Sequence, residues 1–223
     1  MTQARPNAPS TPQAATRRSP VQRRSRERVE RILDAAADLV TEHGVAELTT
    51  RAIAARAGVP VASIYQYYAD KDEIVLALVE RDTQEMDSRV TEAVAALRTL
   101  SIRTLVEATM LAFVSVYHHR PSFVMIWWRG RTNAAVVEFC RTHNRRVAKD
   151  LHDLAVSAGL LRPEAKPWIS ELAVELGDRV FEMAFAIDLL GDEEIIREGI
   201  DLLVAYLERH ATPAGLAGLP APS

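Results

Sequence analysis

With 223 residues and 48% apolar side chains, the chain is long enough to close one large or two modest cores, which excludes a wholly disordered protein. No charge-free apolar run reaches the roughly 20 residues of a membrane-spanning helix. No apolar secretion signal stands at the N-terminus, and a single cysteine, Cys140, excludes an internal disulfide framework or CxxC motif, so a reduced cytoplasmic protein is expected. The net charge of −3 hides an asymmetry: residues 1–25 hold Arg5, Arg17, Arg18, Arg23 and Arg24 and no acid, a basic arm on a more acidic body. That distribution suits a polyanion at one end, or a solvated tail with no partner.

Four of the 11 prolines lie in residues 1–25 and three follow Thr212, so loose ends are expected at 1–25 and 211–223. Between them only Pro60, Pro121, Pro163 and Pro167 interrupt the chain, leaving intervals suited to helices. Val29, Ile32, Leu33, Ala36, Leu39 and Val40 repeat at helical spacing, and the first helix stops at His43-Gly44, where glycine accepts the left-handed C-terminal conformation. Leu48-Thr49-Thr50 offers a threonine N-cap for a short helix carrying Ile53, Ala54 and Ala57 and ending at Gly58. A third helix starts at Pro60, whose missing N–H has no partner in a first helical turn. A fourth runs from about Asp72 to Leu97, with Ile74, Leu78, Met86, Val90, Val94 and Leu97 on one side. Further helices are expected near 101–119, 133–159, 167–190 and 193–209. Residues 121–128 (PSFVMIWW) read as a short helix or tight corner among them. The fold class is all-α.

Three of the five tyrosines fall in Tyr65-Gln66-Tyr67-Tyr68, just after a short helix, a Gly-Val turn and a proline. In helical register Ile64 and Tyr68 share one face and pack on Ile53 and Ala57. The opposite face presents Val61, Ala62, Tyr65 and Gln66, small or hydrogen-bonding groups suited to base edges and the thymine methyl. Two short helices joined by a glycine-containing turn describe a helix-turn-helix; an ordinary helical hairpin fits the periodicity as well.

The run Leu48-Thr49-Thr50-Arg51-Ala52-Ile53-Ala54, then Ala57-Gly58-Val59, then Ile64-Tyr65-Gln66-Tyr67-Tyr68, Lys71 and Ile74 resembles the signature of the tetracycline-repressor (TetR) family. The resemblance implies an N-terminal three-helix DNA-binding domain over 26–71, followed by a larger helical region over 72–210 that binds an effector and dimerises. It also implies that Thr50, Arg51, Val61, Ala62, Ser63, Tyr65, Gln66, Tyr67 and Lys71 meet double-stranded operator DNA. Their chemistry divides the work. Thr50, Ser63, Tyr67 and Lys71 suit phosphate oxygens, Gln66 and Arg51 have the planar donor geometry that reads purine edges, and Tyr65 serves either set. Pro60 departs from the family, which often has a Ser or Thr cap there. Residues 26–71 hold six basic and seven acidic side chains, so the arm is expected to supply much of the nonspecific attraction.

Beyond Arg98 there is no phosphate-cradling glycine loop, serine nucleophile elbow or HExxH, so no enzyme and no cofactor is expected. Cys140 and His143, three apart on one helical face, leave a metal- or thiol-responsive regulator as an alternative. A helical ligand-binding protein that has lost DNA binding is another. The aromatics outnumber what a small core needs. Tyr117, Trp127, Phe139, His143 and Phe185 are the candidates to line a pocket for a small, largely apolar effector. In the last two helices Ile169, Leu172, Leu176, Val180, Met183 and Ile187 form one stripe with Phe181 and Phe185 off it. Ile195, Leu202 and Tyr206 stand beside Ile196, Ile200, Leu203 and Leu207. Two apolar faces per helix predict a homodimer paired through these helices.

Overall fold

The computed structural model describes residues 20–129 and 133–220; Arg5, Arg17 and Arg18 of the expected arm, and residues 221–223, lie outside them. Helix α1 (Pro20–His43) begins inside the region expected to be loose. Proline at the first helical position, arginines of good helix propensity and the Arg23–Glu27 pair one turn apart account for the extension. Its stripe Ile32, Leu33, Ala36, Leu39 and Val40 is buried. Helix α2 (Thr50–Ala57) is capped by Thr49, whose hydroxyl accepts from Ala52 N, and ends at Gly58 with φ +64°. Helix α3 (Val61–Ile64) is a single turn, and Pro60 stands just outside it in an extended conformation with no side-chain cap. Tyr65, Gln66 and Tyr67 therefore form a turn instead of continuing the helix, closed by Tyr67 N and Tyr68 N donating to Ile64 O. The chain must turn there because Asp70 caps the next helix, accepting from Asp72 N and Glu73 N, while Glu73 accepts from Ala69 N.

Helix α4 (Lys71–Ala95) runs out of this head, packing on α1 at one end and along α5 (Ile102–His119) at the other. After Pro121 a short helix α6 (Pro121–Val124) passes into one π turn, Met125–Arg129, which fills the corner expected from the aromatic run. Helices α7 (Ala134–Ser157), α8 (Trp168–Ala184) and α9 (Glu193–Glu208) complete the body, with α8 packed between α7 and α9. The head thus sits on one end of a helical body, and α4 belongs to both.

Two further boundaries differ from expectation. Helix α8 stops at Ala184, not near 190: Phe185 turns inward to full burial, and Asp192 N donates to Ala184 O across a loop that Gly191 closes at φ +78°. The segment from 211 to 220 is ordered. Helix α10 (Pro213–Ala217) is capped by Thr212, which accepts from Gly215 N and donates to Gly159 O. The strand β2 (Leu219–Pro220) then pairs antiparallel with β1 (Thr99–Leu100), at the elbow between α4 and α5. A Cβ at Gly215 would lie 2.2 Å from Leu160 O, so glycine permits the close approach. Composition suggested a solvated tail because Ala, Gly and Pro carry no burial pattern; the segment is held by backbone groups and caps instead.

Head and body meet at a cluster of charges. Arg81 of α4 donates to Asp34 of α1 at 2.7 Å and to its neighbour Asp82 at 3.2 Å. Asp82 is fully buried and also lies 3.8 Å from Arg120, which in turn pairs with Glu85. Burial pushes the Asp82 carboxyl above the usual carboxylate range, outweighing the two guanidinium groups that pull it down.

Candidate nucleic-acid interface and internal cavity

The head exposes a compact polar surface. Ile64 is fully buried, with α3 packed on α2, which turns Ala62, Tyr65 and Gln66 outward; Tyr65 is 56% exposed. Arg51 is exposed at the start of α2, and Thr50, Val61, Ser63 and Lys71 are half-buried around it. The Thr50 hydroxyl lies 3.3 Å from the Tyr65 hydroxyl, which joins the start of α2 to the turn after α3. Tyr67 is half-buried and accepts a hydrogen bond from Ser25 Oγ at 3.2 Å, so α1 braces the same turn. All nine residues named from the sequence stand on or around this surface. Ser25 and Asp70, which hold it in shape, were not among them. Ser25 carried no local signal, whereas the Asp70-x-x-Glu73 capping pattern was readable.

The acids of the head are exposed, and most of them are paired with nearby arginines. Glu42 and Asp38 of α1 pair with Arg56, and the Arg56 guanidinium, with its bidentate hydrogen bonds, holds the exposed Glu42 carboxyl below its ordinary value. Glu30 and Asp34 pair with Arg81, and Asp70 is spent on the α4 cap. The even charge count over 26–71 thus conceals a sorted one. The acids that balance it are largely engaged by Arg23, Arg56 and Arg81 or by the α4 cap.

In the body, a cavity of about 100 Å³ lies among α4, α5, α7, α8 and α9. Tyr117, Trp127 and His143 line it, joined by Thr109, Asn144 and Asp178, which the sequence did not single out. Phe139 and Phe185 do not line it. Phe185 is buried on the far side of Tyr117, stacked on Trp128, and Phe139 is half-exposed behind His143. The Trp127 indole N–H donates to Asp178 at 2.8 Å, and the buried Thr109 Oγ1 has no hydrogen-bond partner among the described residues. Tyr117 is enclosed by Phe123, Trp128, Phe181 and Phe185, and burial drives its phenol well above the ordinary range.

His143 is buried at the cavity wall. Arg146 donates to its Nδ1 at 3.1 Å, which places the neutral ring's proton on Nε2, facing Asp87 at 3.8 Å. Burial holds its pKa below the ordinary 6.5, Asp87 opposes that shift and Arg146 adds to it. A base with a depressed folded-state pKa contributes stability that is present above the ordinary value and is lost as pH falls through the depressed one. Urea unfolding followed from about pH 7.5 down to about pH 5 should show stability declining below the ordinary imidazole value, with a shallower decline in His143→Gln. Equal slopes in the two proteins would place the titration elsewhere.

Cys140 and His143 do not converge: Cys140 lines an outer groove and His143 the cavity. Among the described residues, no group of three or more His, Cys, Asp and Glu side chains is placed to hold a metal ion. Nor is any described helix long and apolar enough to cross a membrane.

Comparison with known proteins bears on the head first. The profile of the family described as bacterial regulatory proteins, tetR family, matches residues 32–78, from within α1 into α4. The HTH-type transcriptional repressor KstR of Rhodococcus jostii is 36% identical over 64 residues, 29% of this chain and 30% of that protein. The nucleoid occlusion factor SlmA of Pasteurella multocida is 33% identical over 76 residues, 34% of this chain and 38% of that protein. These matches span about a third of the curated relatives' own length. Over the whole fold, a TetR-family transcriptional regulator from Streptomyces coelicolor superposes with a TM-score of 0.65 at 32% identity, covering 82% of this chain and 99% of that one.

Proposed function

Because this chain belongs to the TetR family of bacterial transcription regulators, we propose that it works as a homodimeric repressor whose heads read operator half-sites and which a small effector bound in its body releases from DNA. The exposed Ala62, Tyr65 and Gln66 surface carries this reading, braced from α1 by Ser25 and from α2 by Thr50. Gln66 and Arg51 are assigned to base edges, Thr50, Ser63, Tyr67 and Lys71 to phosphates, and Val61 and Ala62 to close approach. Tyr65, tied to Thr50, bridges the two sets. Residues 26–71 form the DNA-binding unit and 72–210 the effector and dimerisation unit, with α4 shared between them.

The partner surface is assigned to α8, α9 and the loop between them. Trp168, Leu172, Met183, Ile187, Leu190 and Leu202 are all exposed large apolar residues, and Ile187 is 96% exposed. An apolar patch of that extent is uncommon on a monomer. The effector is assigned to the cavity lined by Tyr117, Trp127 and His143, whose largely apolar wall suits an apolar molecule.

Gln66→Ala should weaken binding to DNA from the region upstream of the gene by about 1 to 3 kcal/mol, because one base contact is lost. Fluorescence anisotropy with that duplex, beside a thermal melt, checks it. Unchanged affinity with an unchanged melt would remove Gln66 from the reading surface. A head that binds no duplex tighter than a scrambled one would leave a helical ligand-binding protein as the better reading.

A further inference from the structure

The cavity is too small to be the whole of an effector site. Pockets for small molecules commonly enclose about 300 to 1,000 Å³, against about 100 Å³ here. A second void of about 440 Å³ lies in the groove between α7 and α8, lined by Val136, Val137, Cys140, Arg141, Arg145, Glu171 and Glu175 among others. Asn144 of α7 and Asp178 of α8 line both voids. They form a polar partition, and the Trp127 indole that donates to Asp178 belongs to the inner wall.

The two voids differ in chemistry. The inner one is walled by Leu, Val, Met and aromatic side chains, with the unpartnered hydroxyl of Thr109 buried among them. The outer one is as polar as it is apolar. It sets Arg141 and Arg145 on α7 against Glu171, Glu175 and the partition's Asp178 on α8. A head group of either single charge entering that groove meets a like charge on one wall, whereas an uncharged or zwitterionic one finds donors and acceptors on both.

We infer that the effector site is bipartite: a compact apolar body occupies the inner cavity, and a larger uncharged or zwitterionic polar head passes the Asn144–Asp178 partition to lie in the α7–α8 groove. This rests on the reading of the cavity as the effector site, and it names the class of molecule: an amphiphile with a short body and a hydrogen-bonding head. The bound molecule then touches α4 and α5 through the cavity and α7 and α8 through the groove.

Three probes sharing one hexyl body separate the possibilities: hexanol, hexyl β-D-glucoside and hexyl phosphate. Binding is read by tryptophan fluorescence, because Trp127 lies at the partition, and occupancy of the groove by the rate at which iodoacetamide alkylates Cys140. The glucoside should bind about tenfold tighter than hexanol or hexyl phosphate, the gain of one or two hydrogen bonds made in the groove. It should slow alkylation, and hexanol should not. Glu175→Lys exchanges one acid of the α8 wall for a base and should carry hexyl phosphate past the glucoside while leaving hexanol unchanged. Equal affinities for hexanol and glucoside, with Cys140 equally reactive in both, would overturn the bipartite site and leave the cavity reading standing. Hexyl phosphate binding tightest to the native chain would overturn the class of head group. No binding by any of the three would overturn the cavity reading and this inference with it.

Discussion

Arg81→Ala should cost the fold about 3 kcal/mol, because it removes one partner of a buried ion pair and leaves the other charge in place. Arg81 holds Asp34 of the head and Asp82 of its own helix, and Asp82 is 0% exposed. Without Arg81, the Asp82 carboxylate keeps only Arg120, at 3.8 Å and already engaged by Glu85. The loss has a pH signature. Burial already raises the Asp82 pKa in the folded state, so its contribution is largest below the ordinary carboxylate value and is lost as pH rises through the folded value. Removing Arg81 raises that folded value further. The penalty should therefore be full at neutral pH and shrink as pH falls toward the ordinary carboxylate range. Urea melts at about pH 7 and about pH 4 measure it. The pair Arg81→Met with Asp82→Leu should recover most of the loss at neutral pH, since apolar replacement of both partners leaves no stranded charge. An alanine variant as stable as the native chain at neutral pH would show that the cluster does not hold head to body.

Placing glutamate at both Leu172 and Leu202 should convert the dimer to monomers. Both positions are exposed on the chain alone, one on α8 and one on α9, so the charges cost the monomer's own fold little. In the proposed two-fold pairing both copies carry these charges into the interface. Desolvation and like-charge repulsion together cost several kcal/mol, which is about a thousandfold or more in dimer affinity. Sedimentation should show a single-chain mass with an unchanged helical circular dichroism spectrum. Operator affinity should collapse although no residue of the head has changed, because two heads reach successive major-groove faces only when held about 34 to 36 Å apart. A variant that still sediments as a dimer would move the interface away from α8 and α9.

What could be read in advance was what local chemistry encodes. The Thr49 cap, the left-handed Gly58, the stripe from Ile32 to Val40 and the outward Tyr65-Gln66 pair each depend on residues within about two helical turns of one another, the range over which periodicity and capping act. The all-α class followed from those local rules. Three things did not follow. The third helix proved one turn long, because the Asp70 cap claims the chain sooner than the pattern of Ile64 and Tyr68 suggests. The cavity wall took Asp178, Asn144 and Thr109 in place of Phe139 and Phe185: which side of α8 faces α7 is settled by packing among five helices, and the Trp127–Asp178 bond joins positions with no local relation. The segment after Thr212 carries only two large apolar side chains, Leu216 and Leu219, and is held by backbone partners, which composition does not register.

That last segment also fixes an order of events during synthesis. The elbow at Thr99 and Leu100, where α4 gives way to α5, takes its strand partner from Leu219 and Pro220, more than half the chain away. The head closes with contacts between neighbours in sequence and is free to form while the body is still being made. The elbow is not, since pairing across so long a loop carries its entropy cost until both strands exist. A growing chain that has completed the head therefore carries it on a helix, α4, whose elbow to α5 gains its last strand partner only when Leu219 and Pro220 have been added.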